Sequence, residues 1–139
     1  AIFYGRLPGF ALHPEGRAQA VKAGKYLVKA FPEVKRIYSS PLERAVETAG
    51  LIAAQFEPEL PPLTLHSGVL EVYSPFQGRP ITEMAARDWR LYDDVDLSEF
   101  ETFEQICGRA IDSLKEIASA ALDDGHSAVV VTTHGDVCA

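Results

Sequence analysis

The residues best suited to chemistry stand at two strand-to-helix junctions. In "RIYSSPLERAVETA", residues 36–49, an apolar, β-leaning run gives way to Ser39, Ser40 and Pro41, and Arg44 follows in the first turns of a helix. In "VVVTTHGD", residues 129–136, an unbroken β-branched run ends in Thr132, Thr133, His134 and Gly135. A helix that begins directly after a strand has unpaired N–H groups at its start, and with the helix dipole they favour an anion. An arginine there is mildly unfavourable by itself, because like charge meets like. A bound anion removes that objection, since the guanidinium is a permanently charged fork that grips two oxygens of a phosphate. The alternative is that Arg44 pairs with Glu43, Glu47 or a distant carboxylate.

His134 can donate to an anion or move a proton, and Gly135 permits the sharp turn and close backbone approach that such a site needs. A histidine satisfied by a neighbouring carbonyl is the competing reading. Glu71, in "SGVLEVYSPFQG", opens a loop after an apolar run. Burial would raise its pKa and suit it to general-acid work; otherwise it is one of 20 acidic residues.

These residues need elements to position them. Residues 14–31 carry Ala20, Val21, Gly24, Leu27, Val28 and Phe31 at helical spacing. Pro14 suits the first helical position and leaves His13 as the cap. Residues 34–40 read as a short strand and 41–55 as a second helix. Prolines 58, 61 and 62 force a loop before a short strand near Leu63–His66, and a shorter helix follows Pro80. Residues 102–122 read as the strongest helix. Thr102 and Gln105 form a capping box, and Phe103, Ile106, Cys107, Ala110, Ile111, Leu114, Ile117, Ala118 and Ala121 form one apolar stripe. Asp123, Asp124 and Gly125 end it. "SAVVVTTHGD" reads as a buried strand, being apolar without alternation. Strands alternating with amphipathic helices predict a three-layer α/β/α sandwich with a mostly parallel sheet. In such sheets ligands bind beyond the carboxyl ends of the strands, where Arg44 and His134 stand.

Composition narrows the partners. The 139 residues fit one domain, and a net charge of −7 counts against nucleic acid or an anionic membrane. No uncharged apolar run approaches the ~18 residues of a membrane span, and residues 1–10 lack the pattern of a signal peptide. Two cysteines, Cys107 and Cys138, make no disulfide framework, so a cytoplasmic setting is expected. His13, His66 and His126 show no metal-ligand spacing, and the chain has no P-loop, no dinucleotide-binding glycine pattern and no Cys-x₅-Arg loop. Neither metal nor cofactor is expected.

Together these segments resemble the histidine phosphatase superfamily, with its phosphoglycerate-mutase-like fold. "GRLPGFALHPEGRAQA" is similar to the family's stretch after its first strand, and "IYSSPLERAVETA" to its Ser-Ser-Pro-Leu-x-Arg-Ala-x-x-Thr-Ala. "ETFEQI" matches the start of the late helix, and "VVVTTHGD" the strand with the second catalytic histidine. The resemblance implies that Arg44 holds a phosphoryl group, that His134 stabilises its developing charge, and that Glu71 gives a proton to the leaving oxygen. It places Arg6, Gly9 and Gly135 among the substrate-binding positions. The implied partner is a small phosphorylated substrate or inorganic phosphate, and the implied chemistry is transfer through a phosphohistidine followed by attack of water.

The pattern departs from the family in three places. His13 stands where Ser or Thr is usual, and the loop after Glu71 reads "VYSPFQG" in place of the commoner form. The family's Arg-His-Gly, with its nucleophilic histidine, is not within residues 1–139. The expectation is therefore an incomplete domain, with a first strand and a C-terminal helix outside the chain. A gap in the sheet between the Ile37 and Val130 strands is expected with it. The span between Glu71 and His134 lacks the insert of the mutases, which favours hydrolysis. Arg79, Arg87 and Arg90 could select an acidic substrate or be solvated surface. The alternatives are a non-catalytic anion-binding pseudo-phosphatase and a mutase-type phosphotransferase.

Overall fold

The computed structural model describes residues 1–138. In chain order the elements are α1 (Pro14–Ala30), β1 (Ile37–Ser39), α2 (Glu43–Ala53), β2 (Leu63–Leu65), the 3₁₀ turn Ser67–Val69, α3 (Ile81–Ala86), a second 3₁₀ turn Leu97–Glu99, α4 (Phe103–Asp123), β3 (Val130–Thr132) and α5 (Gly135–Cys138). His13 caps α1, its side chain accepting from the Glu15 N–H. Thr102 and Gln105 form both bonds of the capping box that opens α4. Strands β1 and β3 are shorter than the runs read for them, which extend to Val34 and Ser127 at their amino ends.

The three strands form a parallel sheet in the order β2-β1-β3. This is the α/β arrangement expected, but the expected gap is absent. Ile37, Tyr38 and Ser39 pair directly with Val130, Val131 and Thr132. The ladder continues past the strands on both sides, with Val130 N–H donating to Arg36 O (3.2 Å) and Ser40 N–H to Thr132 O (2.9 Å). Among the described residues β3 has no strand on its other edge. For that reason Val130 and Val131 are only half-buried, not fully buried as their composition predicts.

One core lies between the sheet and the helix pair α1–α2. Val34, Ile37, Ala49, Ile52 and Phe56 are buried there, with Leu27 and Val28 of α1 packed against them. Gly24 sets the approach of the two helices: a Cβ on it would stand 3.0 Å from the Ile52 Cα. A second cluster, Phe76, Met84 and Phe100, draws the long loops over residues 70–100 together, with Phe3 and Leu91 against it. Helix α4 buries Ala110, Ser113, Ile117 and Ala121, while Phe103, Ile111 and Leu114 of the predicted stripe are exposed. The buried face is therefore rotated from the most apolar one. Cys107, expected in the core, is half-buried beside that boundary.

Candidate functional site

All three strands point the same way, so their carboxyl ends open on one side of the sheet. From β1 the chain runs through Ser40 into α2, where Arg44 is the second helical residue. From β2 it passes through the Ser67–Val69 turn to Glu71, and from β3 it reaches His134. Three segments far apart in sequence thus deliver their side chains to one place.

The three groups touch. Arg44 Nη2 donates to Glu71 Oε2 at 3.3 Å and to Gly5 O at 3.0 Å. His134 Nδ1 stands 3.6 Å from the same Glu71 oxygen, and its Nε2 is 2.8 Å from Ser40 Oγ. The Arg44 guanidinium also lies over the Tyr4 ring, 4.9 Å from its centre. Of the pairings open to Arg44, the distant carboxylate is the one formed; Glu47 is taken by Arg17 and by the Leu12 N–H. Among the described residues Arg44 Nε and Nη1 make no hydrogen bond, so the N–H groups of these two nitrogens remain for an anion.

Burial sets the protonation states. It raises the Glu71 carboxyl; the Val72 N–H works against this, Asp136 adds to it, and the pull of Arg44 does not reverse it. Burial likewise lowers His134 to about 4, and the charges of Arg44, Arg109 and Arg6 reinforce the shift. At neutral pH the cluster therefore holds a neutral imidazole beside a carboxyl whose burial favours the protonated form.

The remaining sequence-derived positions divide. Arg6 is present, but its guanidinium is engaged: Nε donates to Glu71 O (2.5 Å) and Nη2 to Glu101 Oε2 (2.9 Å). It supports the loop of Glu71 more than it faces a ligand. Gly9 sits in an exposed left-handed turn (φ 85°) and lines neither cavity beside the cluster. Gly5, two residues before Leu7, is the glycine whose carbonyl meets Arg44. Gly135 is exposed at the start of α5, immediately after His134. Arg79, Arg87 and Arg90 are occupied at the surface, pairing with Glu83, Asp93 O and the Asp93 carboxylate. They do not line a cavity at the cluster. His13 and His66 act as caps, and His66 also meets Glu116 at 3.2 Å.

Sequence reasoning missed a second layer. Glu101 accepts from Arg6 and from Arg109 (Nε 2.5 Å, Nη2 3.0 Å) and from the Tyr73 N–H (3.1 Å). Arg109 in turn donates to the carbonyls of Gly68 (2.8 Å), Leu70 (2.7 Å) and Glu71 (3.4 Å). Burial works to raise the Glu101 carboxyl, but the bonds from Arg109 and Tyr73 outweigh it and hold it below its usual range. The main chain around Glu71 is thus tied from both sides. The available signal is a charged residue, Arg109, at helical spacing from the packed positions Ile106, Ala110 and Ser113.

A sheet whose crossovers place an arginine, a carboxyl and a histidine at one set of strand ends is the arrangement of a phosphoglycerate-mutase-like α/β protein. Solved structures agree. The chain superposes on a mycobacterial glucosyl-3-phosphoglycerate phosphatase with a TM-score of 0.76 and 22% identity, over 99% of this chain and 69% of that one. A phosphoglycerate mutase from Bacillus anthracis gives 0.76 and 22% over 98% and 68%. An alpha-ribazole phosphatase from Shigella flexneri gives 0.69 and 18% over 99% and 68%. The sequence profile of the histidine phosphatase superfamily (branch 1) matches residues 2–139, and the chain belongs to that family. An uncharacterized protein of Mycobacterium tuberculosis is 46% identical over 56 residues, which cover 40% of this chain and 27% of that protein. The chain thus spans about a quarter of the curated relatives it matches. Among the described residues no helix is long and apolar enough to cross a membrane, and no group of acidic, histidine and cysteine side chains is placed to hold a metal.

Proposed function

We propose that the protein hydrolyses a small phosphomonoester through a phosphohistidine intermediate, the nucleophilic histidine lying outside residues 1–139. The observation that carries this reading is the contact of Glu71 with both Arg44 (3.3 Å) and His134 (3.6 Å) at the ends of a parallel sheet. Arg44 turns its unpaired donors to the phosphoryl oxygens, and His134, neutral, donates a further hydrogen bond. The phosphorus–oxygen bond breaks as the nucleophilic nitrogen bonds to phosphorus, and Glu71 gives its proton to the departing alkoxide. Water then attacks phosphorus, the phosphorus–nitrogen bond breaks, and the Glu71 carboxylate takes the proton from that water.

Family membership and the company of phosphatases among the structural relatives support this reading, as does the raised Glu71 carboxyl, which favours the protonated form. The test is phosphomonoester hydrolysis by the protein expressed from its complete reading frame. Arg44→Ala should lower kcat/KM by about 10²–10³-fold, the usual loss when a donor to developing charge is removed. No hydrolysis in the parent, or an activity indifferent to Arg44→Ala, defeats the proposal. A residue other than histidine at the nucleophile position would instead favour an anion-binding pseudo-phosphatase.

A further inference from the structure

Glu71 meets Arg44 and His134 through Oε2 and is also among the residues lining a cavity of about 260 Å³. If Glu71 protonates the leaving oxygen, the group attached to that oxygen must occupy the cavity side. The walls of the cavity therefore describe the alcohol that departs.

Those walls are apolar and aromatic: Phe3, Tyr4, Ile81, Trp89, Leu91 and Tyr92. The one carboxylate lining it besides the proton donor Glu71 is Asp136, and no lysine or arginine lines it among the described residues. The arginines close in sequence to the lining are paired elsewhere: Arg6 with Glu101 and the Glu71 carbonyl, Arg79 with Glu83, Arg87 with Asp93 O and Arg90 with the Asp93 carboxylate. A carboxylate or second phosphate on the leaving group would meet Asp136, while the cation bordering the cavity, Arg44 over the Tyr4 ring, is committed to the phosphoryl group on the proposed reading. An apolar ring would meet ring faces and aliphatic side chains. The volume also fits: a dry apolar cavity of roughly 150 Å³ accepts benzene, so this one holds a ring with a short linker.

The backbone supplies an independent sign. Asp88 and Trp89 both lie in the left-handed region, at φ 54° and 59°, a conformation that side chains with a Cβ rarely adopt. Trp89 N–H donates to Met84 O at 3.0 Å, which closes this turn at the end of α3. The turn sets an indole that is 56% exposed at the cavity, which Tyr92, 51% exposed, also lines. Strain spent on presenting aromatic surface to open space is the signature of a ligand clamp.

We propose that this cavity is the leaving-group subsite and that it selects phosphomonoesters of uncharged, ring-bearing apolar alcohols over those carrying a carboxylate or a second phosphate. The inference rests on the phosphatase reading and is testable apart from it. Three substrates with the same alkyl-oxygen leaving atom separate the effects: 2-phenylethyl phosphate, glycerol 3-phosphate and 3-phosphoglycerate. The expected kcat/KM falls in that order, with the first about 10–100-fold above the second, the range for a few apolar carbons in a fitted pocket. Trp89→Ala should narrow that ratio about tenfold, and Asp136→Asn should improve 3-phosphoglycerate relative to glycerol 3-phosphate. Equal values, or a preference for 3-phosphoglycerate, overturn the inference and leave the phosphatase reading standing.

Should none of the three be hydrolysed, the leaving-group role falls with the phosphatase reading, and binding still decides whether the cavity selects apolar rings over acidic groups. Trp89 is the single tryptophan of this chain, so its fluorescence reports on the cavity. A titration with 2-phenylethylphosphonate should saturate at least ~10-fold more tightly than one with phosphonoacetate. Equal affinities overturn the subsite.

Discussion

Replacing Arg109 with methionine asks whether the segment carrying Glu71 is held in place by charge. Arg109 touches no reacting group; it binds the carbonyls of Gly68, Leu70 and Glu71 and both oxygens of Glu101. Methionine keeps much of the apolar stem and removes every donor. Removing one partner from a fully buried ion pair costs about 3–5 kcal/mol. Arg109 and Glu101 are 20% and 13% exposed, and Glu101 retains Arg6 and the Tyr73 N–H. The freed carbonyls can also reach some water, so the expected loss is smaller, about 2–3 kcal/mol. For a chain of this size that lowers Tm by roughly 5–10 °C. Urea and thermal unfolding followed by far-ultraviolet circular dichroism measure it. Because Arg44 and His134 stay in place, the effect on turnover should fall on kcat, through a misplaced Glu71, more than on KM. Arg109→Lys keeps the charge but not the fork and should recover less than half of the loss. A destabilisation below ~0.5 kcal/mol with kcat unchanged, the range of an ordinary surface substitution, refutes the reasoning.

Three further outcomes follow. On the proposed mechanism Glu71→Gln should abolish the alkaline fall of kcat/KM, since that mechanism uses the protonated carboxyl and its raised pKa places its loss above the ordinary carboxylate range. A fall that survives the substitution assigns the acid elsewhere. His134 is held at about 4 against an ordinary 6.5, so its contribution is fully present above pH 6.5 and is lost as pH falls towards 4. Urea titrations across that window should show a decline of roughly 3 kcal/mol that His134→Asn largely removes; an identical decline in the variant refutes the assignment. Gly68→Ala would set a Cβ 1.8 Å from Ser113 Oγ, and should destabilise by about 1–3 kcal/mol. Adding Ser113→Ala should restore part of that loss in a double-mutant cycle, and simple additivity would show that α4 does not press on this turn.

The helices were legible because their signals are local. His13 before Pro14, and Thr102 three residues before Gln105, act through contacts within one turn, and both caps form. The order of the strands was not legible. Pairing β1 with β3 joins Ile37 to Val130, and nothing in either apolar run names its partner. The expected gap between them came from a family pattern and not from the residues. The site was half legible: Arg44 and His134 stand at strand ends, which the topology brings together. The clamp of Arg6, Glu101 and Arg109 was not, because Arg6 and Glu101 meet across 95 positions and leave no periodic trace. Nor was the face of α4, where Phe103, Ile111 and Leu114 satisfy an apolar pattern yet lie in the open. The buried face instead carries Ala110, Ser113, Ile117 and Ala121, and at Ser113 the segment at Gly68 comes too close for a larger residue.

The contact between Arg44 and Glu71 links binding to protonation on the proposed reading. In the structure Arg44 gives Glu71 a modest pull towards the charged form, which burial already outweighs. A phosphoryl group bound by Arg44 adds negative charge beside Glu71 and competes for the same guanidinium. Both changes act in one direction, favouring the proton on Glu71. His134, kept neutral by burial and by three arginines, gains a negative neighbour at the same moment, which eases its role as a donor. The clamp that fixes the main chain at residues 68–73 matters here, because it holds the Cα from which the Glu71 carboxyl reaches the cluster. The carboxyl thus stays where the leaving oxygen departs, between the phosphoryl group on one side and the apolar cavity on the other. Substrate binding itself would then charge the acid with the proton that the first step consumes.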